Sequence, residues 1–326
     1  MNNGKNMNDI RIPRATGLLV IEVCNSNPNG DPDQESDPRR RSHDNRGIIT
    51  GVSFKRKLRD LVLNKEGEVW KHLGKGLQSE EFDILEWRDR KLPEIGKLKR
   101  DAFNRKYWDG RVFGNTLPEL IKGKKEKESE ESRHFIRTGV AHFGNATSVA
   151  PVRVERHTLT NVSSVEIRKG GKSPSRGMAP LGYRVVEHGV YCMPFFINPT
   201  AAIETGCQAR DIALLLKLIR YAYAHTKSAI RPWVEVRYVW YAEHADDLGS
   251  FSEFEFIGAM TPKRKGDDPE KPSTGQPARL EDQYDVPRSE DFKGKMKESK
   301  VYDLCIELPP WCERLLTKKG DKDAPG

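Results

Sequence analysis

The chain has 326 residues, of which 32% are charged and 36% are hydrophobic, and its formal net charge at pH 7 is +8. This length allows one or two domains with a substantial core, and the basic balance indicates an acidic partner, with nucleic acid ahead of an anionic membrane surface. Because no apolar stretch approaches ~18 residues and the N-terminus lacks the apolar core of a signal peptide, we expect a soluble, cytoplasmic protein without membrane contact.

The first predicted strand runs from Gly17 to Cys24 and leads into an irregular loop, residues 27–33, that reads NPNGDPD. A basic amphipathic helix is predicted next, over about residues 52–64. Its apolar side chains recur at the spacing of a helix packed on a core, and they are Phe54, Leu58, Leu61 and Val62.

The segment from Arg39 to Asp60 contains eight Lys or Arg residues and two acids. On a structured element, such a cluster is typical of a polyanion site, although a solvated basic face is the simpler alternative. Thr50 or Ser53 is predicted to cap the helix, whose first N–H groups and dipole favour a phosphate. Arg56 and Arg59 are predicted to project from the side opposite the core, with Lys55 and Lys57 on the flanks.

Downstream elements are predicted more coarsely. They are a polar region over 65–133 with three tryptophans, a β-rich region over 134–168, a Gly/Ser/Pro/Lys loop over 169–182, a strand from Tyr183 to Ile197, a helix from about Cys207 to Lys227, a strand from Val234 to Tyr241, a mobile loop over 262–300 and a strand from Lys300 to Leu308.

This order of elements suits an α+β fold: an RRM-like, or ferredoxin-like, antiparallel palm with both helices behind it and one sheet face left for a ligand. We assign the whole chain, 1–326, to a single domain. Its palm is assigned to about 14–64, 134–150, 183–260 and 300–310, with insertions at 65–133 and 151–182 and a mobile loop at 262–299.

The five cysteines are scattered and show no metal-ligand spacing such as CxxC. Cys24 and Cys192 lie in apolar runs and are predicted to be small core residues. We therefore expect reduced thiols and no zinc, other metal or cofactor.

Four sequence blocks carry a resemblance to a known family. They are NSNPNGDPD with GIITGVSFKRKLRD (25–33 and 47–60), WDGRVFGNT (108–116), MAPLGYRVVEHGVYCMPFFINP (178–199) and HTKSAIRPWVEVRYVWY (225–241). Together they resemble the backbone subunit of CRISPR Cascade, in the subtype I-C and I-B branch of the RAMP superfamily. The arginine run 39–41, the lysine-rich stretch 122–127 and the segment 262–300 do not align with that family.

The resemblance implies a hand-shaped protein with an RRM-like palm and inserted finger and thumb segments. It also implies that several copies assemble head to tail along a CRISPR RNA, together with other Cascade subunits, and present the guide to target DNA. Subunits of this type are not nucleases, so we expect no enzymatic activity.

A protein that accepts any spacer cannot read base edges, so it is expected to hold phosphate and ribose. We expect phosphate contacts from Arg46 and from the helix residues Ser53, Lys55, Arg56 and Arg59. The β-rich insertion adds Arg153, Arg156, His157 and Arg168 as a clamp. Lys172, Arg176 and Met178 lie in the Gly/Ser/Pro loop, where the thumb tip is expected and where Met178 would wedge between bases.

Two alternatives remain open. Asp31 and Asp33 lie in the loop after the first strand, where related type III backbone subunits carry a catalytic aspartate for cleavage of target RNA, although Asx and Pro residues in this order also form ordinary turns. A monomeric RNA-binding module would show the same charge and sheet. For Phe113 and Phe143 we expect core packing, with base stacking as the alternative.

Overall fold

The computed structural model describes residues 10–122, 132–165, 176–266, 268, 270–272, 280–293 and 300–316; for residues 133, 158–165 and 176–181 only the backbone is described. None of the helices in these ranges has the length and apolar character needed to cross a bilayer.

In chain order the strands are β1 (Ala15–Ser26), β2 (Gly30–Asp31), β3 (Asp37–Pro38), β4 (Arg46–Ile49), β5 (Gly114–Thr116), β6 (Ile136–Thr138), β7 (Ala141–Phe143), β8 (Ala146–Pro151), β9 (Val154–Val165), β10 (Arg176–Ile197), β11 (Val234–Glu243), β12 (Lys263–Arg264), β13 (Tyr284–Asp285) and β14 (Val301–Asp303).

The α-helices are α1 (Gly51–Leu63), α2 (Glu68–Leu73), α3 (Leu92–Ile95), α4 (Arg100–Lys106), α5 (Trp108–Phe113), α6 (Ala202–Thr205), α7 (Ala209–Ile219), α8 (Glu253–Met260), α9 (Leu280–Gln283), α10 (Glu290–Lys293) and α11 (Pro310–Leu316).

A central antiparallel sheet runs in the order β14-β11-β1-β10-β8-β4, and β7 and β9 also pair with β10. β1 lies between two long partners, with Leu19 opposite Met193 on β10 and Val239 on β11. Between Leu18 and Cys24 its sequence is apolar except for Glu22, as a strand covered on both faces requires. The predicted strand at Gly17–Cys24 is confirmed and is longer by two residues at each end.

One face of the sheet is covered by the two principal helices, α1 and α7. The buried stripe of α1 packs on the same core as Leu19, Ile21 and Val23 of β1. In α7 a mostly apolar sequence is buried almost throughout, and it begins with a reciprocal capping box between Gln208 and Asp211. The predicted helix over about 207–227 is therefore correct in position but ends at Ile219.

The opposite face is not left free, which contradicts the expected open sheet face. Alternating β1 residues Leu18 and Val20 and their neighbours on β10 and β11 are buried beneath a second layer. That layer consists of Phe256, Met260, Leu280, Tyr284 and Phe292. The prediction of a mobile loop over 262–299 is thus wrong for 280–293, because apolar residues spaced among polar ones anchor the segment on the sheet.

The hairpin β9–β10 extends beyond the central sheet. The second half of β10, from Val186 to Ile197, pairs with β1, whereas its first half, from Arg176 to Val186, pairs with β9. The prediction that Arg176 and Met178 lie in a loop is wrong, since their backbone belongs to β10. Every position of 176–186 except Met178 has a ladder partner on β9, so the strand continues to Arg176.

The inserted segment 65–122 is attached to the sheet-and-helix body by the WDGRVFGNT block. Trp108 is fully buried and donates its indole N–H to the Asp211 carbonyl of α7 at 3.2 Å. Arg111 forms a buried ion pair with the Asp211 carboxylate at 2.8 Å. Gly114 has φ +76°, and an added Cβ would lie 2.3 Å from the Arg137 carbonyl oxygen, so glycine is required there.

Candidate nucleic-acid interface

Helix α1 presents a basic outer face because its apolar stripe is buried. Phe54, Leu58 and Val62 are fully buried. On the outside, Val52 is 71% exposed and Arg56 is 46% exposed. Arg56 lies 2.6 Å from Asp60, one helical turn on, in an exposed pair that water and salt weaken. Arg56 therefore remains accessible to a phosphate.

The start of α1 is held by side chains on two neighbouring segments. Thr50 is the N-cap, and its hydroxyl accepts from the Ser53 N–H at 3.2 Å. The Asn29 side-chain oxygen accepts from the Thr50 N–H at 2.8 Å, and that of Asn145 accepts from the Gly51 N–H at 3.2 Å. The expectation that these N–H groups bind a phosphate is therefore wrong for Gly51 and Ser53, whose N–H groups already have acceptors.

Replacing Thr50 with Ala removes the cap of α1. We expect a loss of about 1 kcal/mol in the free energy of unfolding, because the Ser53 N–H then lacks its acceptor. Urea denaturation of the unchanged protein, Thr50→Ala and Thr50→Ser measures the effect, and the Ser variant keeps the hydroxyl. Equal midpoints for the Ala variant and the unchanged protein would contradict the assigned cap.

Arg59 does not lie on the exposed face. Its side chain is only 10% exposed and donates to Asp109, which is fully buried, at 2.8 Å. Asp109 also accepts from the Leu85 and Glu86 N–H groups. The predicted outward projection of Arg59 is wrong because its partner lies fifty positions downstream, where helical periodicity gives no information.

Lys55 is half-buried beside the Phe113 ring, with Nζ 5.7 Å from the ring centroid. The pKa of Lys55 is lowered from its ordinary value, chiefly by burial and to a smaller extent by the nearby Arg59 guanidinium. Burial and the Lys55 charge also lower the pKa of His142. A phosphate oxygen here would relieve this crowding of positive charge.

Phe113 and Phe143 are packed within the protein. Phe113 is buried, and Phe143 packs against the rings of Phe54 and Phe195, with centroids 5.4 Å and 5.3 Å apart. The expected core packing of both rings is confirmed.

The arginines before α1 differ in availability. Arg39 lies 3.3 Å from Asp31, and Arg41 is paired with Asp44. Arg40 is exposed and, among the described residues, has no carboxylate partner. Arg46 is largely buried in β4, where it donates to main-chain carbonyls of β8 and pairs with Glu270 at 2.6 Å. Of these four residues, Arg40 is the most exposed, whereas Arg39 and Arg41 are partly exposed and paired with carboxylates.

Asp31 and Asp33 are part of a turn. Asp31 Oδ1 accepts from the Asp33 N–H at 3.2 Å, an Asx turn, and also lies 3.3 Å from Arg39. Asp33 is exposed. Within the described ranges, no group of three His, Cys, Asp or Glu side chains lies close enough to hold a metal ion.

The hairpin carries three of the predicted clamp residues. Arg153, Arg156 and His157 are exposed on the segment leading into and along β9, and Arg153 lies 3.4 Å from Glu187. His157 stacks on Tyr183 across the ladder. Arg168 and Lys172 lie outside the described residues, as do the side chains of Arg176 and Met178.

Sequence reasoning assigned no contact residue in the loop between α7 and β11. Arg231 and Trp233 belong to the fourth of the sequence blocks, residues 225–241. They lie beside the loop that follows β1. Arg231 donates from Nε to the Asn27 carbonyl at 3.0 Å, and Trp233 is 55% exposed. The sequence did carry a signal for this contact. Trp233 stands close to Lys227 and Arg231, and basic and aromatic residues together are typical of nucleic-acid surfaces.

Comparison with known proteins gives a consistent family. The family model for CRISPR-associated protein Cas7 matches residues 13–287. A curated protein of Haloferax volcanii, named CRISPR-associated protein Cas7, is 31% identical over 217 residues, which is 62% of this chain and 62% of that relative. The aligned region thus spans less than two thirds of the relative's length.

Similar solved structures share little sequence. A chain from "CRISPR RNA-guided surveillance complex, pre-nicking" has a TM-score of 0.43 and 13% identity, covering 72% of this chain and 79% of that chain. A chain from "CRISPR RNA-guided surveillance complex" has a TM-score of 0.37 and 15% identity, covering 70% of each chain.

Proposed function

The chain belongs to the Cas7 family of CRISPR-associated proteins, and on that premise we propose that it is a backbone subunit that binds a CRISPR RNA by its sugar-phosphate chain. The resemblance indicated by the four sequence blocks is confirmed at the level of the family. Subtype, type I assembly and target DNA are part of the proposal.

The observation that carries this proposal is the cationic surface around α1. Arg40, Lys55 and Arg56 are exposed or half-buried on structured elements, and Arg231 approaches from the α7–β11 loop. Cations mounted on a packed helix and sheet lose little freedom when they bind phosphate, and they carry no preference for base identity. Such a surface suits a partner whose sequence varies.

The palm of this hand-shaped subunit is proposed to be an RRM-like sheet. In its support, β11-β1-β10-β8 are antiparallel neighbours, with α1 between β1 and β8 in the chain and α7 between β10 and β11. The β9–β10 hairpin is proposed as the thumb, since its register carries it beyond the sheet. Because the second sheet face is covered, the guide is expected at the edge formed by α1 and its neighbouring loops.

The proposal is tested by the number of copies bound per guide. Purified protein with guides of increasing spacer length should give complexes whose mass rises in steps with length, because each copy covers a fixed stretch of backbone. Mass photometry or native mass spectrometry gives this number. Saturation at one copy for every length would favour a monomeric RNA-binding module instead.

A second candidate, guide-directed cleavage of target RNA, is favoured by one feature: Asp33 is an exposed carboxylate in the loop after β1. The engagement of Asp31 with Arg39 and with the turn speaks against it, because a catalytic carboxylate must be free to approach a metal or the scissile phosphate. We propose that the protein is not a nuclease.

Cleavage is checked by incubating the assembled complex with complementary RNA and Mg²⁺ or Mn²⁺. We expect no cut product from the unchanged protein, and the same result from Asp31→Ala and Asp33→Ala. A cut that the unchanged protein makes and that Asp33→Ala abolishes would establish the nuclease in place of the passive backbone.

A further inference from the structure

The loop that leads into β11 places a large aromatic side chain on the surface. Trp233 is 55% exposed, and its neighbour Ile230 is 37% exposed. Among the described residues, the other exposed tryptophan is Trp87, in the inserted segment, and it is 38% exposed. An exposed indole loses the gain of burial unless a partner covers it.

The loop that carries Trp233 is held by four hydrogen bonds to the last residues of β1 and to Asn27, which follows β1. Trp233 N–H donates to Ser26 Oγ at 2.9 Å, and its carbonyl accepts from the Cys24 N–H at 3.0 Å. The Asn27 N–H donates to the Ile230 carbonyl at 2.8 Å, while the Asn27 carbonyl accepts from Arg231 Nε at 3.0 Å. Ser26 and Asn27 are themselves buried. The indole is therefore presented by a fixed frame and needs little ordering when it binds.

Positive charge lies beside this ring in the sequence and in space. Arg231 uses Nε for the Asn27 carbonyl, and no carboxylate among the described residues forms an ion pair with its guanidinium group. Lys57 of α1 lies close enough to Arg231 for the two charges to interact. The pKa of Lys57 is lowered chiefly by burial and to a smaller extent by the Arg231 charge. The loop thus joins an exposed aromatic surface to a cation pair.

We propose that Trp233 stacks against an unpaired base of the bound strand while Arg231 contacts the adjoining phosphate. This inference rests on the proposed function, because it names a contact within the same nucleic-acid interface. Stacking on an indole tolerates every base, since each has a π-face. The contact therefore adds affinity without adding sequence preference.

The experiment uses the full chain with two single-stranded probes of equal length: an RNA oligomer and an oligomer of abasic spacers that keeps the phosphates. Trp233→Ala should weaken RNA binding by roughly fivefold to a hundredfold, the range of one base-aromatic stack. Trp233→Phe should retain most of the affinity. Trp87→Phe serves as the control and should bind like the unchanged protein.

On the abasic probe, Trp233→Ala and the unchanged protein should bind equally, because the lost contact needs a base. A merely structural role for Trp233 would weaken binding to both probes. Quenching of tryptophan fluorescence by RNA should also fall in Trp233→Phe and persist in Trp87→Phe.

Equal RNA affinity of Trp233→Ala and the unchanged protein would overturn the stacking contact and leave the proposed function standing. Equal losses on RNA and on the abasic probe would also overturn it. If the unchanged protein binds neither probe, both the stacking contact and the proposed function are wrong.

Discussion

Replacing Arg111 with Ala is expected to lower the free energy of unfolding by about 3–5 kcal/mol, the largest effect we expect from a single substitution. Arg111 and Asp211 are both almost fully buried, and the guanidinium binds the carboxylate through two donors, at 3.0 Å and 2.8 Å. Its remaining donors reach the carbonyls of Glu81, Asn104 and Arg105. The substitution leaves a buried carboxylate without its counter-charge and three carbonyls without donors.

Chemical denaturation compares Arg111→Ala with Arg56→Ala, which removes an exposed pair one helical turn apart and should cost no more than about 0.5 kcal/mol. Combining Arg111→Met with Asp211→Asn removes both charges and keeps an acceptor for the cap of α7. We expect this double variant to recover part of the loss. A midpoint for Arg111→Ala equal to that of Arg56→Ala would contradict the structural role assigned to the buried pair.

Replacing Lys55 and Arg56 together with Ala is expected to weaken guide binding for every spacer sequence alike. Each lost phosphate contact on a single strand should reduce the salt dependence of log K by up to about 0.7, so the pair should flatten it by up to about 1.4. If the loss is entirely counterion release, affinity at 0.1 M salt should fall by about 25-fold. Arg59 is left in place because its pairing with Asp109 makes it part of the core.

The matched control replaces two exposed lysines of the inserted segment, Lys75 and Lys91, with Ala. This control changes the net charge equally, but both lysines belong to the inserted segment and not to α1. Its affinity should change little at 0.15 M salt, where charges separated by more than about 8 Å are screened. Equal losses for both double variants would mean that net charge, and not the surface of α1, holds the guide.

The sequence predicted the elements with strong local periodicity. β1 is apolar from Leu18 to Cys24 except at Glu22, and α1 has an apolar stripe at helical spacing, so each was placed within a few residues. The polyanion surface followed from the same pattern, because a buried stripe on one side of a helix leaves the basic residues on the other. These predictions depend only on residues that lie within about two helical turns of one another in the sequence.

Contacts between distant segments could not be read in this way. Asp109 lies fifty positions from Arg59, and Leu280 and Tyr284 reach the sheet from a region whose composition is typical of a loop. A few apolar residues among many polar ones give no periodic signal, although each fills a site on the sheet. The placement of Arg59 and the free sheet face were wrong for this reason.

The central claim is that this surface binds the backbone of a nucleotide strand without reading its bases. The most direct test is to titrate the unchanged protein with guides of equal length and unrelated spacer sequence, at several salt concentrations from about 50 to 500 mM. We predict dissociation constants that agree within about threefold across guides and that rise in parallel with salt, as phosphate contacts require. A spread of a hundredfold or more between spacer sequences, or an affinity that does not change with salt, would contradict the claim.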